Sequence, residues 1–479
     1  MDIRFYNSMT RSKETFKPIS GNKVGLYTCG PTVYNYAHIG NFRAYVFEDL
    51  LRRTLEYFGY EVIHVMNLTD VDDKTIRGAK NAGVPLDDYT EPYKRAFFED
   101  CDALGIERAS IYPAATEHVQ EMITLIQKLL DKDIAYKSDD GSVYFSIDKF
   151  PEYGKLARVD MENQRAGGRV KLDEYEKDAI ADFALWKAWD EDDGEVFWNS
   201  PWGRGRPGWH IECSAMSMKY LGETFDIHTG GIDNMFPHHE DEIAQSEAAT
   251  EKKFVNYWLH CGYLVVNGEK MSKSLGNFFT LRDLRGKGWS DREIRAALLS
   301  GHYRKMLDFS ETALGQTRTV LKSFDSLFER LARRASAENA DDKSEACAEN
   351  ADVLRKTKAD FDRSLADDLN VAGGWAATHA LAKHANKTLD ANTLTPNAAN
   401  AILDSFRSFD EILAALNVPD SASPASSSDV PAEVAELVGK RSKARAEKDF
   451  DTADAIRDRL KALGWVVEDT PDGPIAKKI

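Results

Sequence analysis

The sequence has 479 residues, of which 42% are hydrophobic and 29% are charged, and its formal net charge is -17. This length predicts two to four domains, and the composition is typical of a globular protein. The sequence lacks a long apolar run, and its N-terminus, MDIRFYNSMT, lacks a basic segment followed by an apolar one. We therefore expect a cytoplasmic protein with neither a membrane span nor a secretory signal.

Charge and cysteine content limit the partners of the chain. The acidic balance speaks against nucleic acid, because phosphate binding depends on lysine and arginine. A basic stretch, KRSKARAEK at residues 440–448, leaves an RNA contact on one face open. The five cysteines, at positions 29, 101, 213, 261 and 347, are odd in number and scattered. This spacing argues against a disulfide framework and leaves thiols for metal binding or catalysis.

Residues 23–74, KVGLYTCGPTVYNYAHIGNFRAYVFEDLLRRTLEYFGYEVIHVMNLTDVDDK, predict a strand, a Gly-Pro loop, a helix and a second strand. The helix carries Val46, Leu50 and Leu51 at helical spacing. This pattern is a βαβ unit with a right-handed crossover. Two later segments, TFDIHTGG and KFVNYWLHCGYLVV, predict further strands with a helix between them. The fold class is therefore α/β with a doubly wound parallel sheet of the Rossmann type.

Composition along the chain predicts six segments. The first half of the sheet domain covers 1–111, a connective insertion covers 112–201, and the second half of the sheet domain covers 202–290. A helical bundle follows at 291–418, and a Ser- and Pro-rich linker follows at 419–432. A small C-terminal domain occupies 433–479, where Ile456, Leu460 and Leu463 predict one apolar helix face.

The stretch FPHHEDEIAQSE, residues 236–247, has three interpretations: a metal site, an acid/base cluster, or the solvated start of a helix. His238 and Glu242 are four residues apart, so on a helix they share a face and are able to bind one ion. Cys29 and Cys213 are candidates to complete a set of two sulfurs, one nitrogen and one oxygen, which suits zinc. The alternative for each cysteine is a small hydrophobic core residue.

Two short strings indicate phosphate chemistry. In EKMSKSLGN, residues 269–277, Lys270 and Lys273 flank a Ser- and Gly-containing loop that is able to fold over a polyphosphate. In AHIGN, residues 37–41, His38 and a helix N-terminus are placed to face phosphate, and Gly40 allows close approach of a nucleotide. The alternative for the first string is a solvated lysine loop.

HIGN together with KMSKS on a doubly wound sheet resembles the class I aminoacyl-tRNA synthetases. The strings YTCGPTVYNYAHIGN, NLTDVDDK, GWHIECSAM, GGIDNMFPHHEDEIAQS and KMSKSLGN resemble the cysteinyl-tRNA synthetases within that class, and the match spans the chain. One departure is Asn41, which occupies the fourth position of the HIGH motif. Asparagine donates a hydrogen bond to a phosphate or leaving-group oxygen but carries no protonic charge.

The resemblance implies one Zn2+ per chain, held by Cys29, Cys213, His238 and Glu242, which would select cysteine as its thiolate. His239, Glu240 and Asp241 would be neighbours of the metal and not ligands. The resemblance also implies an ATP-dependent ligase, with ATP and Mg2+ as substrate, that forms cysteinyl-adenylate and transfers cysteine to tRNA(Cys).

Further residue roles follow from motif position in the family. The resemblance assigns catalysis to His38, Asn41, Lys270 and Lys273. It assigns ATP binding to His38, Gly40, Asn41, Asp233 and Lys273, with Asp233 on the adenosine ribose. It assigns the cysteine pocket to Gly30, Thr32, Thr69 and Trp209. For Trp209, core packing is the alternative.

The C-terminal half has a nucleic-acid role by the same resemblance. The helices from 291 are similar to a DALR-type tRNA-binding bundle, and the last domain is similar to an anticodon-reading domain. Its basic residues Lys440, Arg441, Lys443 and Arg445 would contact phosphate, or form only a charged helix face. We expect a monomer with tRNA(Cys), L-cysteine and ATP as its partners.

Two competing functions remain. The cysteine ligase of mycothiol synthesis shares the catalytic core and passes cysteine to an amino sugar, but it ends before an anticodon-reading domain. A non-catalytic RNA-binding paralogue would keep the fold but has no chemical need for KMSKS or for four metal ligands. The predicted anticodon-reading domain therefore speaks against the first alternative, and KMSKS with the four candidate metal ligands speaks against the second.

Overall fold

The computed structural model describes residues 1–159, 182–272, 275–337, 345–419, 431–470 and 473–478. The chain forms two compact units. The first unit comprises Met1–Arg318, Asp362–Gly374 and Glu411–Ala415, and the second comprises Thr319–Phe361, Trp375–Asp410 and Leu416–Ile479. Across the described ranges, no helix combines the length and the apolar character that a membrane crossing requires.

A four-stranded parallel sheet forms the centre of the first unit. Its strands are β3 (Lys23–Thr28), β4 (Glu61–Met66), β10 (Phe225–Gly231) and β11 (Val255–Cys261), in the spatial order β11-β10-β3-β4. Helix α1 (Ile39–Tyr57) connects β3 to β4, whereas β10 lies on the other side of β3. The strand order therefore reverses between β3 and β10, which is where open α/β sheets bind ligands. The predicted doubly wound parallel sheet is confirmed.

Apolar side chains at the predicted spacing hold α1 on this sheet. Val46, Leu50 and Leu51 are each 1% exposed or less, as their helical spacing predicts. Helices α2 (Asp73–Ala82) and α3 (Leu86–Ala103) follow β4, and α5 (Trp209–Leu221) and α6 (His238–Thr250) flank β10. Helix α6 includes the stretch that the sequence left open between a metal site and a solvated helix start.

The predicted insertion contains most of a second sheet, but its predicted end at residue 201 is too early, because strand β9 of this sheet lies at Gly203–Pro207. Helix α4 (Val119–Asp131) precedes five antiparallel strands in the order β5-β6-β7-β9-β8. These are β5 (Ala135–Lys137), β6 (Val143–Phe145), β7 (Phe183–Ala188), β8 (Trp198–Ser200) and β9 (Gly203–Pro207). Buried side chains of this sheet, such as Phe145 and Trp186, belong to one apolar cluster with Ile211 and Met216 of α5. The insertion and the parallel sheet domain therefore share a core.

Smaller elements complete the first unit. A hairpin at the N-terminus pairs β1 (Arg4–Asn7) with β2 (Ser12–Thr15). A three-stranded sheet orders β13 (Glu269–Lys270), β12 (Leu264–Val266) and β14 (Leu307–Phe309). Helices α7 (Leu281–Gly286) and α8 (Asp291–Leu298) lie between β13 and β14 in the chain. Strand β13 leads directly into the KMSKS loop.

Long helices follow, as the sequence predicts from residue 291 onward. They are α9 (Glu311–Ala335), α10 (Glu345–Ala366), α11 (Val371–Asp390) and α12 (Pro396–Leu413). Within the second unit, the rings of Phe361 and Phe409 stack with centroids 4.2 Å apart, and Phe328 meets Phe406 edge to face at 5.1 Å. Aromatic packing therefore contributes to the core of this unit.

The chain ends in two helices and a hairpin: α13 (Ala432–Ala446), α14 (Phe450–Ala462), β15 (Trp465–Thr470) and β16 (Gly473–Lys478). Their buried core consists of Val434, Leu437, Leu460 and Trp465. The predicted apolar helix face is correct for Ile456 and Leu460 but wrong for Leu463, which is 42% exposed because α14 ends at Ala462. Most of the predicted linker, residues 420–430, lies outside the described residues.

One buried arginine joins several segments of the first unit. Arg295 of α8 is 1% exposed and pairs with the buried carboxylate of Asp49 in α1. It also donates to the carbonyl oxygens of Leu413 (2.8 Å), Leu104 (3.0 Å) and Gly105 (3.2 Å). A single guanidinium group thus satisfies four acceptors in the interior.

We expect Arg295→Leu to lower the free energy of unfolding by about 3 to 5 kcal/mol, because it leaves a buried carboxylate undercompensated. Burial raises the pKa of Asp49, but Arg295 and Arg53 outweigh it, and the net pKa is lowered. The stabilisation is therefore present above about pH 4 and is lost as pH falls below it. Urea unfolding at pH 7 and at lower pH measures both effects.

The matched control is Arg355→Leu. Arg355 pairs with Asp352 across one helix face, and both side chains are more than 70% exposed. An exposed pair of this kind contributes less than about 1 kcal/mol. Equal effects of the two substitutions on unfolding would contradict the importance of the buried pair.

Candidate active site

The four predicted metal ligands meet at the carboxyl edge of the parallel sheet. Cys29 follows the last residue of β3, and its backbone N–H donates to the Thr229 carbonyl of β10 at 3.3 Å. Cys213 lies in α5, and His238 and Glu242 lie on the first turns of α6. One ligand atom from each of the four residues lies within 4.8 Å of the others. The structure therefore brings together residues from three distant parts of the chain.

This donor set fits a zinc ion. Two sulfurs, an imidazole nitrogen and a carboxylate oxygen match the ligands that zinc prefers in proteins. Glu242 Oε1 lies 3.1 Å from His238 Nε2, yet this buried oxygen accepts no hydrogen bond among the described residues. A buried acceptor of this kind is costly without a partner, and a cation between the two groups would remove that cost.

A second, overlapping group also has metal-ligand geometry. It consists of Cys29, His228, His239 and Glu242. Hydrogen bonds already engage its histidines, because His228 Nε2 lies 2.9 Å from Glu242 Oε2 and His239 Nε2 lies 3.3 Å from Cys29 Sγ. The first group is engaged in the same way, because His238 Nε2 lies 3.1 Å from Glu242 Oε1 and its Nδ1 lies 2.8 Å from His210 Nδ1. These contacts therefore do not decide between the two groups, and the choice of Cys213 and His238 rests on the family resemblance.

The acidic residues beside the predicted ligands are engaged by other groups. Glu240 accepts hydrogen bonds from the backbone N–H groups of Gly154, Leu156 and Ala157 at 2.9 to 3.0 Å. Asp241 accepts from the Tyr153 hydroxyl and lies 3.3 Å from His210 Nε2. All five residues from 238 to 242 are 2% exposed or less, so the interpretation as a solvated helix start is wrong.

Burial disfavours the charged form of two histidines beside the ligand set, His239 and His260. Burial lowers the pKa of His239 well below its ordinary value, and the neighbouring His228 and His260 lower it further. Burial likewise lowers the pKa of His260 to about 3. The two thiols differ: their mutual hydrogen bond raises the pKa of Cys29 and lowers that of Cys213. Neutral imidazole and an ionisable thiol are the forms that bind metals.

The HIGN segment forms the N-terminus of α1. His38 is the N-cap, and its Nδ1 accepts from the backbone N–H groups of Gly40 at 3.1 Å and Asn41 at 3.2 Å. Asn41 Oδ1 accepts from the His38 N–H at 3.0 Å, which completes a capping box. Because Nδ1 is an acceptor, a neutral His38 carries its proton on Nε2. The structure therefore gives Asn41 a capping role that the sequence did not predict.

The segment that follows the KMSKS loop lies against HIGN. The Ile39 N–H donates to the Phe279 carbonyl at 2.8 Å, and the His38 and Phe278 rings meet edge to face at 5.0 Å. A Cβ on Gly40 would lie 2.5 Å from Met271 Cε, so Met271 of the KMSKS motif is close to HIGN. Lys270 is exposed on β13, and Lys273 lies outside the described residues. The two phosphate motifs are thus adjacent in space.

The predicted cysteine pocket lies beside the ligand set. The Gly30 N–H donates to Asn67 Oδ1 at 2.9 Å, and Thr32 pairs with Thr69 as a parallel bridge. Trp209 stacks on the ring of His238, with centroids 4.4 Å apart. Trp209, His238 and Asp233 line one cavity of about 80 Å³. This position favours a pocket role for Trp209 over simple core packing.

Several residues of the site were not predicted from the sequence. Glu212 lines the same cavity and accepts from the Thr69 hydroxyl at 2.9 Å. His228 and His260 belong to β10 and β11, and His210 belongs to α5. One signal was available: Glu212 lies three residues after Trp209, so the two share a helix face. For the strand histidines, no local pattern indicates which groups they meet.

Three family models match this chain. Residues 15–319 match the model of the class I (C) tRNA synthetase catalytic domain, residues 360–417 match the DALR domain, and residues 427–473 match the cysteinyl-tRNA ligase anticodon binding domain. The chain belongs to the cysteinyl-tRNA ligase family. The resemblance drawn from the motifs is thereby confirmed.

Curated relatives of this family match over the full length. The chain is 50% identical over 474 residues to the cysteine-tRNA ligase of Brachyspira hyodysenteriae, covering 98% of each chain. It is 48% identical over 479 residues to that of Protochlamydia amoebophila, covering 99% of this chain and 98% of the relative. The methionyl-tRNA synthetase of Mycobacterium tuberculosis, solved with methionyl-adenylate, shares the fold at a TM-score of 0.63 and 14% identity, covering 82% of this chain and 92% of that one.

The match to an anticodon binding domain decides between the tRNA ligase and the amino sugar ligase. An amino sugar acceptor requires no anticodon-reading domain, whereas residues 427–473 match one within the cysteinyl-tRNA ligase family. The amino sugar ligase is therefore not favoured.

We expect Gly30→Ala to destabilise the protein. The new Cβ would lie 1.7 Å from the Asn67 carbonyl oxygen, which is backbone and cannot move aside without disturbing the site. Overpacking of this kind costs about 1 to 3 kcal/mol. The melting temperature measures the effect. As a control, Gly315→Ala in α9 meets no atom within 4 Å and should stabilise the helix by about 0.5 to 1 kcal/mol.

Proposed function

We propose that this chain activates L-cysteine with ATP and transfers it to tRNA(Cys). The observation that carries the proposal is the convergence of Cys29, Cys213, His238 and Glu242 at the sheet edge where HIGN and the KMSKS loop meet. A thiol-selective site next to two phosphate motifs is what an enzyme that joins cysteine to a nucleotide requires.

The proposed reaction has two steps. The cysteine carboxylate attacks the α-phosphate of ATP, the bond to the β-phosphate oxygen breaks, and pyrophosphate leaves with Mg2+ as the accompanying cation. A hydroxyl of the terminal tRNA ribose then attacks the cysteinyl carbonyl, and AMP leaves. The protein's task in both steps is to position the reactants and to neutralise phosphate charge.

We assign the nucleotide to the HIGN side of the site. The backbone N–H groups of residues 39–41 already donate within the protein, so the His38 Nε2–H side chain would donate to a phosphate oxygen at the positively polarised end of α1. Asn41 uses its Oδ1 in the capping box, so its amide NH2 is the group that would donate. Asp233 would accept from the ribose hydroxyls, and Lys270 and Lys273 would neutralise the pyrophosphate.

We assign cysteine to the zinc side, with Gly30, Thr32, Thr69 and Trp209 around it. Cys29, Cys213, His238 and Glu242 would hold one Zn2+. When bound, zinc supplies a strong preference for a thiolate over a hydroxyl, which is a means of rejecting serine in one binding step. His228 and His239 orient the ligands by the hydrogen bonds described above.

The C-terminal domain is the proposed anticodon contact. On α13, Lys440, Lys443 and Arg445 are exposed, whereas Arg441 is only 7% exposed. Lys440 also pairs with Glu436 at 2.6 Å. We therefore assign phosphate contacts to the exposed Lys440, Lys443 and Arg445 and not to the buried Arg441.

The protein should contain about one zinc per chain, and Cys213→Ser should lose most of it, because a serine oxygen is a poor replacement for a thiolate ligand. Elemental analysis after dialysis measures the content. Cys101→Ala is the matched control, since Cys101 is a buried thiol of α3 outside the ligand groups. Equal zinc content in the two variants would contradict the ligand assignment.

Cysteine-dependent exchange of labelled pyrophosphate into ATP tests the activation step. We expect exchange with cysteine and none above background with serine. Lys270→Ala should lower kcat for exchange by about 100-fold while leaving KM for cysteine near its original value, because the lysine acts on transition-state charge.

Lys23→Ala is the control for Lys270→Ala. Lys23 is an exposed residue at the beginning of β3, where it pairs with Glu61 at 3.7 Å, and so lies at the edge of the sheet opposite the site. No exchange by a folded, zinc-containing protein would refute the enzyme and favour the non-catalytic RNA-binding paralogue.

A further inference from the structure

Glu212 has an unusual environment in the cavity beside the ligand set. It is the fourth residue of α5, is 1% exposed, and immediately precedes Cys213. Its Oε2 accepts from the Thr69 hydroxyl at 2.9 Å. Its Oε1 is buried and accepts no hydrogen bond among the described residues. Thr69 therefore holds one carboxyl oxygen in place, whereas the other oxygen lacks a hydrogen-bond donor.

Buried polar atoms in native proteins are nearly always hydrogen-bonded, so an exception of this kind requires an explanation. Three other carboxyl groups share the feature in the described chain: Glu48, Asp100 and Glu242. Glu242 belongs to the proposed metal site, and neither Glu48 nor Asp100 lines the cavity. Glu212 is the residue among these four that combines a missing donor with a place in the cavity wall and no role as a metal ligand.

The cations of the cavity wall are already paired with other carboxylates. Lys187 contacts Asp73 at 3.0 Å, and Arg206 contacts both Asp73 and, at 2.9 Å, Asp193. The missing donor for Glu212 is therefore expected to come from a ligand. His238 also lines the cavity, so a ligand bound beside the proposed zinc site is in the same cavity as Glu212.

We propose that Glu212 binds the α-ammonium group of the substrate cysteine, with Thr69 holding the carboxylate in position. Of the polar groups of cysteine, the ammonium is the one that is a cationic donor, and charge-assisted hydrogen bonds to carboxylates are the stronger kind. The inference rests on the proposed function of this site. It adds a second contact that selects the substrate: the zinc site binds the thiol of cysteine, and Glu212 binds its amine.

The test compares two ligands on two proteins at equal zinc content. Calorimetric titration measures Kd for cysteine and for 3-mercaptopropionate, which keeps the thiol and the carboxylate but lacks the amine. Glu212→Gln preserves the shape and an acceptor for Thr69 but removes the charge. We expect Kd for cysteine to rise by about 10- to 100-fold, as for loss of a charged hydrogen bond, and Kd for 3-mercaptopropionate to change by less than about threefold.

Glu48→Gln is the matched control. Glu48 is also fully buried, also accepts from a threonine hydroxyl (Thr229, 3.1 Å) and also has a carboxyl oxygen without a donor, but it does not line the cavity. It should leave Kd for both ligands unchanged. A rise in cysteine Kd with Glu48→Gln equal to that with Glu212→Gln would overturn the specific role of Glu212.

Two further outcomes would overturn the proposal. One is an unchanged Kd for cysteine in Glu212→Gln, and the other is an equal loss of affinity for both ligands, which marks a structural role. If that variant fails to fold, the native protein still decides, because it should bind cysteine at least about 10-fold more tightly than 3-mercaptopropionate. Pyrophosphate exchange by the native protein is measured separately. Absence of exchange would refute the proposed function, whereas normal exchange with an unchanged Kd for cysteine in Glu212→Gln would refute only this inference.

Discussion

The parallel pairing of β3 with β10 is the constraint on which the rest of the site depends. These strands are separated by some two hundred residues, yet residues 26–28 lie in register with residues 227–229. Because parallel strands end at the same edge of a sheet, the segments that follow them must meet. Cys29 therefore lies beside the end of β10, and the helices on either side of β10 deliver Cys213, His238 and Glu242 to the same place.

Burying so many polar groups has a cost that the site offsets by pairing them with one another. His239 lies within hydrogen-bond distance of His260, and His260 of Ser8, at 2.9 and 2.7 Å. Neutral imidazoles are suited to this arrangement, because burial disfavours their charged form. The carboxylate of Glu240 accepts three hydrogen bonds from backbone N–H groups of residues 154–157. The insertion is thereby attached to the helix that carries His238.

On the proposed nucleotide side of the site, the residues are positioned mainly by hydrogen bonds to the backbone at the start of α1. His38 and Asn41 cap α1 reciprocally, so the same residues that begin the helix also lie at its positively polarised end. The pairing of Ile39 with Phe279 then places the segment after the KMSKS loop against this cap. The cap and the Phe279 carbonyl take up the N–H groups of residues 39–41, so the His38 and Asn41 side chains are the donors that this helix end offers to a ligand.

The sequence alone determined the elements and the chemistry that they carry. Apolar periodicity located β3, α1 and β4, because burial of one face follows directly from local spacing. Ordered motifs indicated the family, which the comparisons confirm, and through it four proposed metal ligands. The sequence did not indicate that Glu240 and Asp241 contact the insertion, that His228 contacts Glu242, or that one oxygen of Glu212 lacks a hydrogen-bond donor. Those facts depend on which strands pair and which helices pack, and contacts between residues far apart in the chain leave no local pattern to read.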